Sequence, residues 1–128
     1  MKLLLDTCTL LWLARGDRSL SPSARDLLSR PKVDARVSVV SAWEIAIKHG
    51  LGRLPLPAPP AEFVPAVRRR YGLASLEIDE DSALHVAKLP RLHGDPFDRM
   101  LVSQAIVHGL TIVTPDPQVT RYPARTIW

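Results

Sequence analysis

The chain has 128 residues, enough for one domain that buries roughly two thirds of its unfolded surface without disulfides or partner chains. Seventeen basic against thirteen acidic side chains give a formal charge of +4 and a pI near 9.7, a balance that favours polyanionic partners. Cys8 is the one cysteine, which excludes an internal disulfide and a cysteine-rich zinc site and fits a reducing compartment.

The first eight residues, Met-Lys-Leu-Leu-Leu-Asp-Thr-Cys, carry an apolar run that stops abruptly at an acid. Residues 2–5 read as a strand buried on both faces, as in a parallel sheet. Leu10, Leu11, Leu13 and Ala14 read as the helix that follows. The run is too short for a signal peptide, being cut by Asp6 and later by Arg15 and Asp17, and no stretch is long enough to span a bilayer. A soluble cytoplasmic protein is the expectation.

Ser21-Pro22 offers an N-cap and a first-turn proline for a helix to about Arg30, which Pro31 stops. Residues 36–40 form a second strand candidate, and Ser41 can cap a helix from Ala42 to His49 that ends at Gly50 and Gly52. The proline-rich stretch 54–60 is a stiff loop within one small fold. A helix follows from about Ala61 to Tyr71, with Pro65 awkward in its early part and Arg68, Arg69 and Arg70 on it. Residues 74–78 are a short strand, Asp79 an N-cap, and 82–88 a helix closed by Pro90. Asp95-Pro96-Phe97-Asp98 opens a helix to about His108, Gly109 ends it, 111–113 is a strand and 126–128 a last edge strand. Strands alternating with helices define an α/β fold with a mostly parallel sheet.

Asp6 follows the first strand, Glu44 stands just inside the helix after the second, Asp116 follows the strand at 111–114, and Asp98 lies in the first turn of a helix. Right-handed crossovers bring such junctions to one edge of a sheet, where ligands bind. Carboxylates gathered there repel one another unless a cation joins them, and carboxylates with water are the ligand set of Mg²⁺ or Mn²⁺. Plainer roles compete at each position. Glu44 and Lys48 have the spacing of a helix-surface ion pair; Asp98 suits the helix dipole; Asp116, between two prolines, suits a turn; and Asp95 is placed to be an N-cap. Thr7 and Thr114 can cap a helix or hydrogen-bond to the carboxylates. His49, His85, His93 and His108 are scattered, without metal-ligand spacing, and read as surface or helix-end residues. Cys8 reads as a buried packing thiol. No glycine loop for phosphate is present.

Three stretches in fixed order carry a resemblance that runs nearly end to end: LLLDTCTLLWL, SAWEIAIKHGLGRLPLP and LPRLHGDPFDRMLVSQAIVHGLTIVTPD. With them the chain resembles the PIN-domain ribonucleases, and within these the VapC toxins of type II toxin–antitoxin pairs. The resemblance implies a single PIN domain over 1–128, with a mostly parallel sheet of four to five strands flanked by helices on both faces. It implies a Mg²⁺- or Mn²⁺-dependent endoribonuclease acting on tRNA or rRNA. Its acids fall on Asp6, Glu44, Asp98 and Asp116, and Asp95 belongs to the same D-P-F-D-R stretch. Lys48, Arg53 and Arg99 lie near these acids in sequence and are candidates for holding the RNA backbone, with Arg68 to Arg70 either extending that footprint or forming a solvated face. A homodimer and a VapB-like antitoxin partner are implied as well. Cys8 departs from relatives, which often carry histidine there. Two other readings stand beside this one: a basic RNA-binding or regulatory module with the fold but no turnover, and a haloacid-dehalogenase-like phosphatase, whose second acid is missing because Cys8 occupies its place.

Overall fold

The computed structural model describes all of residues 1–128. The elements in chain order are β1 (Lys2–Leu5), α1 (Thr7–Arg15), α2 (Pro22–Ser29), β2 (Asp34–Ser38), α3 (Val39–Gly50), α4 (Pro60–Tyr71), β3 (Ala74–Leu76), α5 (Glu80–His85) with a 3₁₀ turn at Val86–Lys88, α6 (Pro96–His108), β4 (Thr111–Val113), α7 (Pro117–Thr120) and β5 (Thr126–Ile127). The strands form one sheet in the order β3-β2-β1-β4-β5, and each neighbouring pair is parallel.

That order sets the position of the site. From β1 the chain moves outward through β2 to β3, then returns to the other side of β1 for β4 and β5, so the direction of winding reverses between β1 and β4. In open parallel sheets the crevice at the carboxyl ends of such a strand pair is where ligands bind. Leu5 pairs with Val113 across this boundary, which leaves Asp6 and Thr114 side by side one residue beyond.

The core confirms that the apolar run of β1 is buried on both faces. Leu3 and Leu5 join Leu10, Leu13, Leu27, Ile45 and Val64 in a cluster on one side of the sheet. Leu4 and Ile112 join Val40, Leu101, Val102 and Ala105 on the other. Alternate side chains of a strand point to opposite faces, so a strand with apolar residues at every position needs helices on both. Leu3, Leu4 and Leu5 are fully inaccessible. At about 25 cal/mol per Å² of apolar surface, each leucine contributes roughly 1.5–3 kcal/mol, which anchors the strand that carries Asp6.

Several boundaries differ from the sequence expectation. β2 ends at Ser38, not at residue 40, and α3 begins at Val39. The β-branched pair Val39-Val40 favours a strand locally, but the Ser38 hydroxyl accepts the Val40 amide at 3.0 Å and donates to the Gln104 side chain at 2.6 Å. The cap of α3 is therefore Ser38 and not Ser41. β3 stops at Leu76, two residues early, and α5 starts at Glu80, two residues before expected. α4 runs unbroken through Pro65; the lost amide would serve the carbonyl of Ala61, an exposed residue in the first turn, where water can replace it. Gly109 closes α6 in the left-handed conformation at φ 66°, which side chains disfavour, and so turns the chain directly into β4.

Candidate active site

Asp6 is only 3% exposed. Its Oδ1 accepts the Thr7 amide at 2.7 Å, so it caps α1, and its Oδ2 accepts the Thr114 hydroxyl at 2.7 Å. Thr114 in turn accepts the Asp116 amide at 3.0 Å. One hydroxyl thus ties the ends of β1 and β4 together and fixes the backbone that carries the next acid. Burial pushes the Asp6 carboxyl above its ordinary range; the two donors pull it back, and the charges of Asp116 and Glu44 push it further up. Thr7 is buried too, its hydroxyl donating to Ser41 at 2.8 Å, which locks the start of α1 onto α3.

Glu44 projects from the second turn of α3 and is 5% exposed. Its Oε2 is ion-paired with Lys48, and the ammonium is held above its usual range chiefly by that bond, with Asp95 and Asp98 adding attraction. The i, i+4 pair read from the sequence therefore exists, but it lines a cavity, with Glu44 buried and only Lys48 reaching solvent. Glu44 Oε1 is buried without a hydrogen-bond partner.

Asp98 lies in the first turn of α6. Burial pushes its carboxyl up to about 6; the bond from His93 opposes this, while the charges of Asp95, Asp6 and Glu44 add to it. Asp95 is the N-cap expected of it, accepting the amides of Phe97 at 2.8 Å and Asp98 at 3.2 Å. It also lines the same cavity, so it both caps the helix and joins the acid wall. Asp116 caps α7 by accepting the Gln118 amide at 2.9 Å.

These side chains meet. A cavity of about 350 Å³ at the β1/β4 boundary is lined by Asp6, Glu44, Asp95, Asp98 and Asp116 together with Lys48 and Arg53. Five carboxylates face two cations there, so the cavity is strongly electronegative in a chain whose net charge is positive. No group of three His, Cys, Asp or Glu side chains stands close enough together to hold an ion by itself; the acids are spread along the cavity wall, so a cation there would keep several of its own waters, as Mg²⁺ usually does. The oxygen-only donor set and the unpartnered Glu44 Oε1 fit such an ion.

Not every expected residue is at this cavity. Arg99 is directed away from it: its guanidinium donates to the carbonyls of Pro90 at 2.8 Å and Val86 at 3.3 Å, and to the Tyr122 hydroxyl at 3.0 Å. Backbone carbonyls, not solvent, hold it, so its place next to Asp98 in sequence is misleading. Arg68 to Arg70 lie on α4, with Arg70 packed over Tyr71 at 5.2 Å and none of them at the cavity. Cys8 is not simple packing: it is half-buried on the cavity wall, its Sγ donating to Asp6 Oδ2 at 3.6 Å. Burial pushes its thiol up to about 12, with the Asp6 charge adding to the effect. His93 is not the surface or helix-end residue that its place in the sequence suggested: it is largely buried and its Nε2 stands 3.0 Å from Asp98 Oδ2, a contact that no helical spacing announces because His93 is in a loop five residues before Asp98.

The five-stranded parallel sheet, with an acidic cavity where its winding reverses, defines an α/β fold built to present carboxylates at strand ends. Residues 3–124 match the family model described as PIN domain, and the chain belongs to that family. Over 49 residues it is 47% identical to Ribonuclease VapC16 of Mycobacterium tuberculosis, a stretch that covers 38% of this chain and 35% of that protein. The match thus spans about a third of the curated relative's length. Among solved structures, VapBC2 from Rickettsia felis bound to a promoter DNA fragment superposes with a TM-score of 0.75 at 16% identity, covering 99% of this chain and 98% of that one. FitAcB from Neisseria gonorrhoeae gives 0.68 at 17% identity, covering 98% and 96%. At such identities these superpositions speak for the fold.

Proposed function

We propose that this chain is a divalent-metal-dependent endoribonuclease acting as the toxin of a type II toxin–antitoxin pair. The observation that carries the reading is the convergence of Asp6, Glu44, Asp98 and Asp116 on one cavity, supported by family membership and by the name of the curated relative, a ribonuclease. These four residues would hold Mg²⁺ or Mn²⁺, which when bound supplies positive charge for the scissile phosphate and a more acidic water.

The chain's own residues account for the rest. Thr7, through its amide, and Thr114, through its hydroxyl, favour the ionised form of Asp6 against burial and hold it in place by donating to it. Glu44 Oε1, unpartnered and buried, would accept a hydrogen bond from the attacking water or serve as a ligand to the cation. Lys48 and Arg53 are the basic groups at the cavity and would meet the backbone of the RNA, Lys48 exchanging Glu44 for a phosphate oxygen. An antitoxin partner is supported by the toxin–antitoxin complexes among the structural neighbours. Trp43 and Ile47 on α3 and Leu51 just past its end are exposed apolar residues, which supports a second copy of the chain as the covering partner. No helix is long and apolar enough to cross a membrane.

The test is cleavage of end-labelled tRNA and rRNA fragments by the purified chain. Products with Mg²⁺ or Mn²⁺, none in EDTA, and none from a folded Asp6→Asn variant are expected. RNA bound but never cut would favour the non-catalytic module instead, and equal cutting by Asp6→Asn would remove the assignment.

A further inference from the structure

Neither the Asp98 nor the Glu44 carboxylate accepts from the backbone. Glu44 is paired with Lys48, whereas the amide of Asp98 itself is given to Asp95. Its Oδ2 instead accepts from His93 Nε2 at 3.0 Å. His93 Nδ1 stands 2.7 Å from the Tyr122 hydroxyl, and Arg99 reaches the same hydroxyl at 3.0 Å.

One arrangement of protons satisfies every group in this chain. A guanidinium can only donate, so the Tyr122 oxygen accepts from Arg99 while its own proton is available to His93 Nδ1. With Nδ1 accepting, the ring proton is on Nε2 and is donated to Asp98. Arg99 is itself fastened to the carbonyls of Pro90 and Val86. Tyr122 is buried at 3% exposure, its ring tilted against His93 at 5.4 Å and beneath the guanidinium at 5.8 Å. Three separate segments, the loop before α6, the first turn of α6 and the turn after α7, are joined by four side chains, only one of which faces the acid cavity.

We propose that Arg99, Tyr122 and His93 are positioning residues that fix the Asp98 carboxylate through Oδ2 and leave Oδ1 for the cation, so that Arg99 serves the metal site and not the RNA. This rests on the metal-nuclease reading above. Partners of a ligating carboxylate typically contribute 10–100-fold to metal affinity or activity, and the arrangement has no evident packing purpose for a histidine that apolar residues could not serve.

The experiment measures Mn²⁺ binding to the full chain, by the electron paramagnetic resonance signal of free Mn²⁺, beside RNA cleavage and far-ultraviolet circular dichroism. Tyr122→Phe keeps the ring and removes only the hydroxyl; it should raise the Mn²⁺ Kd several-fold. His93→Ala should raise it roughly 10–100-fold, and His93→Gln, which retains an N–H, should recover part of the loss. Arg99→Lys should weaken Mn²⁺ binding and lower kcat while leaving KM for RNA unchanged. Wild-type Mn²⁺ affinity in folded Tyr122→Phe and His93→Ala would overturn the proposal, and if His93→Ala does not fold, Tyr122→Phe decides it. A rise in RNA KM alone in Arg99→Lys would return Arg99 to the RNA backbone. Failure of the wild-type chain to bind Mn²⁺ would remove the nuclease reading and this proposal together, whereas wild-type cleavage with indifferent variants removes only the positioning chain.

Discussion

Thr114→Val replaces a hydroxyl by a methyl of similar shape at the end of a buried strand, so it leaves no void and suits β-structure. What it removes is one donor and one acceptor. The donor serves Asp6 Oδ2 at 2.7 Å, and a hydrogen bond to an ionised group contributes about 1.5–3 kcal/mol. The acceptor serves the Asp116 amide at 3.0 Å, whose loss costs about 1 kcal/mol more, less if cavity water replaces it. The sum is roughly 2–4 kcal/mol, or a Tm lower by roughly 6–15 °C for a domain of this size. Urea unfolding in EDTA at pH 7.5 measures it. The deficit should shrink towards pH 4.5, because burial raises the Asp6 carboxyl and a neutral acceptor makes a weaker bond. Divalent cation should also reduce it at pH 7.5 by compensating the carboxylate. A deficit below about 0.5 kcal/mol, or one indifferent to pH, would refute the idea that Thr114 sustains the Asp6 charge.

Three further outcomes are expected. Asp98, raised to about 6 from an ordinary 3.8, binds its proton more tightly folded than unfolded, so its contribution is full below about pH 4 and is lost as pH rises through about 6, and Asp6, also raised, acts in the same direction; thermal melts in EDTA should show that fall, Asp98→Asn should reduce it, and Mn²⁺ should raise the Tm more at pH 7.5 than at pH 5. Lys48→Met leaves Glu44 without its counter-ion and, since Lys48 is nearly half exposed, should cost roughly 1–2 kcal/mol in EDTA; Mn²⁺ should restore much of it, while KM for RNA rises, and a neutral effect on both would contradict the role given to the pair. Cys8, with its thiol pushed up to about 12 from 9.0, holds roughly a thousandfold less thiolate than a free cysteine, so alkylation at pH 8 should be slow until the chain unfolds; rapid labelling of the native chain would show a different environment.

What the sequence disclosed depended on whether the signal was local. Asp6 was legible because an apolar run with no polar alternation needs cover on both faces, and an acid at its end has to be satisfied. Asp95 was legible from the proline after it, and the Glu44–Lys48 pair from its spacing. The start of α3 was misplaced because Val39-Val40 favours a strand by itself, while the deciding bonds run from Ser38 to its own helix and to Gln104, 66 residues away. The contacts of Arg99 and His93 were not legible for the same reason. One is adjacent to Asp98 in sequence yet turned to backbone carbonyls; the other is in a loop yet bonded to Asp98, through a network completed by Tyr122 from beyond the recognised stretches. Neighbourhood along the chain predicts contacts within a helix and says little about loops or about partners brought in by the sheet.

Uptake of a divalent cation by the acid wall is what separates a metal nuclease from a non-catalytic module. Crystals grown in Mn²⁺ and measured at a wavelength where manganese scatters anomalously answer this directly. A peak in the cavity within bonding distance of at least two of Asp6, Glu44, Asp98 and Asp116, absent from crystals of Asp6→Asn, is the predicted result. An empty cavity at saturating Mn²⁺, or a peak away from these carboxylates, would contradict it.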